Sequence, residues 1–221
     1  MSVRKILNPK VLFIGFGNVG NKIAELLLSK NEIHPGIKNF KPKIVGIFTK
    51  SHGAVVSQQG INLEKSYNQF ISNKIFTASS PDYTNIPVIE AIQSLDYDCL
   101  IDISTLTIKS DGEPSISYTR KALKRGINVI SANKGPAAFA NSELHLLAAK
   151  HNCKFLHESA VMDGAPVFNL FRENLRGCKV TGLSGILNST TNFILSKMED
   201  EYSFEKSLKK RRNLVLLRMT T

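Results

Sequence analysis

The chain has 221 residues, 42% hydrophobic and 21% charged, enough to bury a core in one large domain or two small ones and too apolar for a disordered chain. No apolar run approaches the roughly 20 residues that a membrane-spanning helix needs. The net charge of +11 is uneven: in residues 203–221, Lys206, Lys209, Lys210, Arg211, Arg212 and Arg218 face Glu205 alone, a net +5 that leaves +6 for the rest.

In chain order, VLFI (11–14) reads as a buried strand, and NKIAELLLSK places Ile23, Leu26, Leu27 and Lys30 at helical spacing. Pro35, Gly36 and Pro42 break that helix, and KIVGIF (43–48) reads as a second strand. The polar stretch from Ser51 to Tyr83 predicts loops with short helical turns. Helices are expected over Ile86–Leu95, with Pro87 in the first turn, over Ser115–Arg125, and over Asn141–His151 with its own Asn as cap. Strands are expected at 98–103, 127–132, 153–158 and 179–186, and a last helix at Thr190–Glu199. Apolar runs alternating with helices imply βαβ units and a Rossmann-type, doubly wound, mostly parallel α/β sheet. The expected division is a nucleotide-binding domain over residues 1–150 and the start of an α+β substrate and dimerisation domain over 151–221.

Four stretches could carry chemistry. GFGNVG (15–20) follows a strand and opens a helix, the context in which Gly15 makes a tight turn, Gly17 admits a pyrophosphate and Gly20 packs the helix on the strand. The helix N-terminus then offers its unpaired N–H groups to phosphate. The second strand ends Phe48-Thr49-Lys50-Ser51-His52, with no acid for a ribose diol. Lys50, Ser51 and His52 suit a 2′-phosphate and favour NADP over NAD, although the same residues also fit a solvated turn. VISANKGPAA (129–138) delivers Lys134 from a strand's carboxyl end, with Gly135-Pro136 turning the chain; alone, such a lysine fits a surface cation equally well. HESAVMDGAPV (157–167) sets Glu158, Asp163 and backbone carbonyls in one loop, which suits either a hard cation or a helix cap by Asp163.

The charge has a nucleic-acid reading, which the sequence disfavours: no aromatics interleave with the cations and no groove-reading motif is present. Lys206 to Arg212 lacks the wide apolar face of a membrane-surface helix. Cys99, Cys153 and Cys178 are odd in number and widely spaced, which predicts reduced thiols and a cytoplasmic setting. The N-terminus lacks the cleavage site of a secretory signal.

Together and in this order, GFGNVG, DISTLTIKSDGEPS, VISANKGPAA, FLHESAVMDGAPVFNLFRENLRG and GILNSTTNFIL resemble homoserine dehydrogenase, over roughly residues 10 to 213. The resemblance implies an oxidoreductase that interconverts aspartate 4-semialdehyde and homoserine with NAD(P)H, in the pathway to threonine, methionine and isoleucine. It implies that Phe16, Asn18 and Val19 join the three glycines in the cofactor loop. It places Ser104 and Thr105 beside the nicotinamide and Lys134 between cofactor and substrate. It also implies a sodium site from the Glu158 side chain and the backbone oxygens of Val161, Asp163 and Ala165, with Asp163 where the family usually has a small residue. Family members form homodimers; this expectation is not extended to the present chain. The other enzyme class in view, a phosphorylating semialdehyde dehydrogenase, needs a thiolate where NSTTN (188–192) has Ser189. A non-catalytic dinucleotide-binding or regulatory module is the alternative.

Beyond SFEKSLKKRRNL the family continues with a glycine and a glutamate that grip homoserine, then an aspartate and a second lysine. Here Val215 and Arg218 stand at the first two positions and the sequence stops before the others. The expectation is a truncated or frame-shifted ending, open apolar surface around 179–186, disorder after about residue 213, and little or no turnover by this chain alone.

Overall fold

The computed structural model describes residues 8–29 and 40–219, with side chains described as far as Leu214. The expected break at Pro35 and the helical position of Lys30 lie outside the described residues, as do the side chains of Val215 and Arg218. The chain forms two compact units, residues 1–160 and 161–221.

The first unit is a seven-stranded sheet. β1 (Lys10–Ile14), β2 (Lys43–Phe48), β5 (Cys99–Asp102), β6 (Asn128–Ser131) and β7 (Phe155–Leu156) run parallel, while β3 (Ala54–Val56) and β4 (Tyr83–Thr84) add an antiparallel edge. The order is β4-β3-β2-β1-β5-β6-β7. Side chains alternate across β1. Val11 and Phe13 pack with Ala24 of α1 (Asn18–Leu28) and Phe70 of α2 (Leu63–Asn73). Leu12 and Ile14 instead face Ala91 and Ile92 of α3 (Val88–Ser94), Leu123 of α4 (Ser115–Lys124) and Leu144 of α6 (Asn141–Lys150). Both faces are therefore covered, which is why the central strands read as continuous apolar runs rather than as alternating ones.

Several expectations need correction here. The stretch 51–83 is more regular than predicted: it contains β3, an 11-residue α2 and β4. The signal for α2 was present, since Asn62 caps the helix by accepting from the Lys65 N–H at 3.0 Å, and Leu63, Tyr67 and Phe70 follow at spacings of four and three. Gly135-Pro136 does not turn the chain. It lies in the first turn of α5 (Lys134–Phe139), where a proline costs no intrahelical hydrogen bond. Asn141 does not cap α6; it is the helix's first residue, and Ala140 joins the two helices. Leu26, placed at helical spacing, lies in α1 and is 54% exposed.

The second unit holds α7 (Val167–Asn169), a π-turn at Leu170–Asn174, α8 (Ser189–Glu199) and α9 (Phe204–Met219). The strand expected at 179–186 is absent: no neighbouring strand pairs with it among the described residues, and an unpaired strand leaves its backbone groups to water. Val180, Leu183 and Ile186 stand exposed, as expected of open apolar surface. Where disorder was expected after about residue 213, the described backbone is helical to Met219. The Tyr202 ring receives the Lys210 ammonium at 4.0 Å and the Lys206 ammonium at 4.9 Å, so part of the basic run is folded against an aromatic face.

Phe70 is 6% exposed and meets Phe16 edge-on at 5.1 Å and Phe76 at 4.9 Å between ring centroids. Phe70→Ala is expected to destabilise the first unit by about 3 kcal/mol or more, read from urea denaturation.

Candidate functional site

The strand order reverses between β1 and β5: the chain moves outward through β2 on one side and through β6 on the other. A crevice opens at the carboxyl ends of the strands at such a reversal, and open α/β sheets bind ligands there. Three segments leave these ends together: Gly15–Gly20 after β1, Ser104-Thr105 after β5, and Asn133-Lys134 after β6.

Gly15 has φ of 93° and donates its N–H to the Phe48 carbonyl at 2.7 Å. A Cβ there would lie 2.7 Å from the Ile103 carbonyl and 2.8 Å from the Ser104 nitrogen, so the glycine lets the β1 turn touch the end of β5. Gly17 caps α1 with no side chain and has open space at its Cβ position; with Asn18 and Val19 it is exposed. The first-turn N–H groups of α1 have no partner within the helix and face that open space. Phe16 points the other way, into the core, at 3% exposure. Unpaired backbone donors at the start of a helix suit a phosphate group.

Lys50, Ser51 and His52 form the exposed tip between β2 and β3. The tip is built, not loose. The His52 N–H donates to Thr49 Oγ1 at 2.7 Å, Thr49 Oγ1 donates to the Gly53 carbonyl at 2.8 Å, and Ser51 Oγ lies 3.2 Å from His52 Nδ1.

The end of β5 holds a side chain that sequence reasoning passed over. Asp102 is fully buried, at 0% exposure. Its Oδ1 accepts from the Ser104 N–H at 3.0 Å and from Ser104 Oγ at 2.6 Å; its Oδ2 accepts from Ser115 Oγ at the start of α4. Asn133 Nδ2 donates to Ser104 Oγ at 3.0 Å, and Asn133 Oδ1 accepts from the Gly135 N–H at 2.8 Å, capping α5. Burial pushes the Asp102 carboxyl above the usual range, against the opposing pull of the Ser104 and Ser115 hydrogen bonds. The acid at the end of CLID and the Asn one residue before the lysine were the available signals.

Lys134 is the first residue of α5 and is exposed, so the first unit by itself does not enclose it. Thr105 is exposed and Ser104 half-buried. In the stretch considered for sodium, Glu158 opens a 3-10 turn at the end of the first unit, and Val161, Asp163 and Ala165 begin the second. Met162 and Asp163 take φ of 58° and 50°, and the Ala165 N–H donates to the Met162 carbonyl at 3.0 Å. No side-chain cap is made at α7, whose cap position is Pro166, so Asp163 does not cap it. Among the described residues, no three His, Cys, Asp or Glu side chains gather as a metal cluster. Cys99 and Cys153 are not set up as nucleophiles: burial pushes Cys99 up to about 12 and raises Cys153. A basic concavity of about 400 Å³, lined by Gln93, Ser117, Arg120, Lys121, Lys124 and Arg125, lies along the carboxyl-terminal half of α4. That end of α4 leads into the amino end of β6, so the concavity is not the cofactor crevice.

The first unit has the Rossmann-type architecture, with its crevice at the carboxyl ends of β1, β5 and β6. The sequence profile of homoserine dehydrogenase matches residues 166–216. An NAD(+)-dependent homoserine dehydrogenase of Pseudomonas canavaninivorans is 36% identical over 202 residues, covering 90% of this chain and 56% of that protein. The homoserine dehydrogenase of Methanocaldococcus jannaschii is 33% identical over 209 residues, covering 92% and 60%. A solved hyperthermophilic archaeal homoserine dehydrogenase in complex with NADPH superimposes with a TM-score of 0.76 at 25% identity, covering 94% of this chain and 61% of that one. The chain is thus similar to homoserine dehydrogenases over most of its own length and spans rather more than half the length of these relatives.

Because the folded Asp102 keeps its proton to a higher pH than the unfolded one, the folded state binds more protons between the two pKa values. Stability contributed at this position therefore falls as pH rises through that interval. Asp102→Asn keeps an acceptor for Ser104 and removes the titration. Its stability relative to wild type is expected to improve as pH rises from about 4, the ordinary carboxylate value, measured as urea midpoints across pH.

Proposed function

We propose that the first unit binds NAD(P)H and serves the hydride exchange between homoserine and aspartate 4-semialdehyde. The observation that carries this reading is the meeting of the Gly15–Gly20 turn, Ser104-Thr105 and Lys134 at the carboxyl ends of β1, β5 and β6. When bound, the nicotinamide supplies or takes the hydride. The exposed α1 amides receive the pyrophosphate, Ser104 and Thr105 line the nicotinamide side, and Lys134 Nζ gives a proton to the alkoxide oxygen as the aldehyde is reduced. In the reverse direction the same nitrogen takes that proton back.

The relatives point both ways on the nucleotide: one is named NAD(+)-dependent and another was solved with NADPH. The exposed tip at Lys50–His52, with no acid, favours the 2′-phosphate. No described helix is long and apolar enough to cross a membrane. The cytoplasm is the proposed compartment. A homodimer is what the resemblance implies for full-length members and is not proposed for this chain.

Titration of the 221-residue chain with NADPH and with NADH, followed by nicotinamide fluorescence, tests the nucleotide reading. Saturable binding with NADPH favoured is expected, and Lys50→Glu should weaken NADPH about tenfold while leaving NADH nearly unchanged. Preference for NADH would overturn the assignment of the 2′-phosphate; binding of neither would overturn the dinucleotide reading.

A further inference from the structure

We infer that Asn133 is a positioning residue that couples the nicotinamide-side loop to the lysine-bearing helix, so that Ser104-Thr105 and Lys134 keep one relative geometry. The inference rests on the dinucleotide reading above. Asn133 is 3% exposed, and both ends of its amide are used. Its Oδ1 faces the Gly135 N–H at 2.8 Å and must be the acceptor, which fixes the amide's orientation and makes Nδ2 the donor to Ser104 Oγ at 3.0 Å. Ser104 Oγ in turn donates to Asp102 Oδ1 at 2.6 Å. The chain of hydrogen bonds therefore has one direction, from the Gly135 N–H through Asn133 and Ser104 to a buried carboxylate.

Capping α5 needs only an acceptor, which Ser, Thr or Asp would supply equally well. A side chain that accepts from the helix and also donates across to the next strand's loop must be an amide here, because the serine hydroxyl's own proton is committed to Asp102. The backbone leaves little slack beside it. A Cβ on Gly135 would stand 2.7 Å from the Gly112 Cα, so the start of α5 already rests against the loop before α4. The Asp102 carbonyl receives the Ala132 N–H at 2.9 Å, tying the same two strand ends through backbone. Asn133 is thus the side-chain link that can be removed without dismantling the sheet.

Asn133→Ser separates the two roles, since a serine can still cap α5 but is too short to reach Ser104. The test measures dissociation constants of NADPH and of adenosine 2′,5′-bisphosphate, which lacks the nicotinamide half, for wild type, Asn133→Ser and Asn133→Ala. Acetylation of Lys134 Nζ with and without NADPH is followed by mass spectrometry in the same samples. Both variants should bind NADPH about tenfold more weakly, the effect of one lost hydrogen bond to the site, with the affinity for the bisphosphate unchanged. NADPH should also protect Lys134 from acetylation in wild type and fail to do so in the variants. Equal weakening of both ligands would show a merely structural role, and unchanged NADPH affinity with intact Lys134 protection would show none; either overturns the inference. Wild type that binds the bisphosphate but leaves Lys134 unprotected by NADPH also overturns it. Wild type that binds neither ligand overturns the dinucleotide reading and the inference together.

Discussion

The first unit turns on a carboxylate kept out of water. Asp102 ends β5 with no cation paired to it among the described residues, and a lone buried charge of that kind is costly unless hydrogen bonds replace its hydration. Ser104 and Ser115 supply that replacement from the loop after β5 and from the first turn of α4. Through Ser104 the same carboxylate reaches Asn133 and so the cap of α5. One residue therefore fixes where three segments leave the sheet. The candidate lysine, the Ser104-Thr105 loop and the start of α4 all take their starting points from it.

The glycine turn sets the other wall of the crevice by the opposite means. There, the absence of side chains brings the backbone of β1's turn against Ile103 and Ser104 and leaves the α1 amides uncovered. Polar side chains define one wall and missing ones define the other. Such a cleft can order a long anionic ligand: the phosphates need bare donors, whereas the reacting ring needs neighbours that hold their places.

The sheet was legible in the sequence because its central strands are buried on both faces. VLFI, KIVGIF and DCLIDI carry continuous apolar runs for that reason, and the strand-glycine-helix context identified the turn. The antiparallel edge was not legible. β3 and β4 hold three and two residues, too short for periodicity to show. α2 went unread because only one face of it is apolar and the rest is as polar as a loop. At the site, Lys134 stood out as a charge delivered from a strand end, but Asp102 and Asn133 did not. What distinguishes them is which partners they meet, 13 and 29 positions apart in the chain, and spacing alone does not encode that. The segment 179–186 failed differently: its composition suits a strand, yet composition cannot supply the neighbour that a strand requires.

The two units contribute unequal kinds of information. The first has a fold shared by proteins of many activities, so its architecture limits the ligand far more than the reaction. The profile that names the family instead matches residues 166–216, within the second unit, where Val180, Leu183 and Ile186 are exposed. Packing of the described residues does not account for apolar side chains at those positions. The part of the chain most specific to the family is thus the part least explained by burial, whereas the part best explained by burial is common to many families. Contacts inside the first unit accordingly bear on nucleotide chemistry, whereas the likeness to homoserine dehydrogenases is one of sequence.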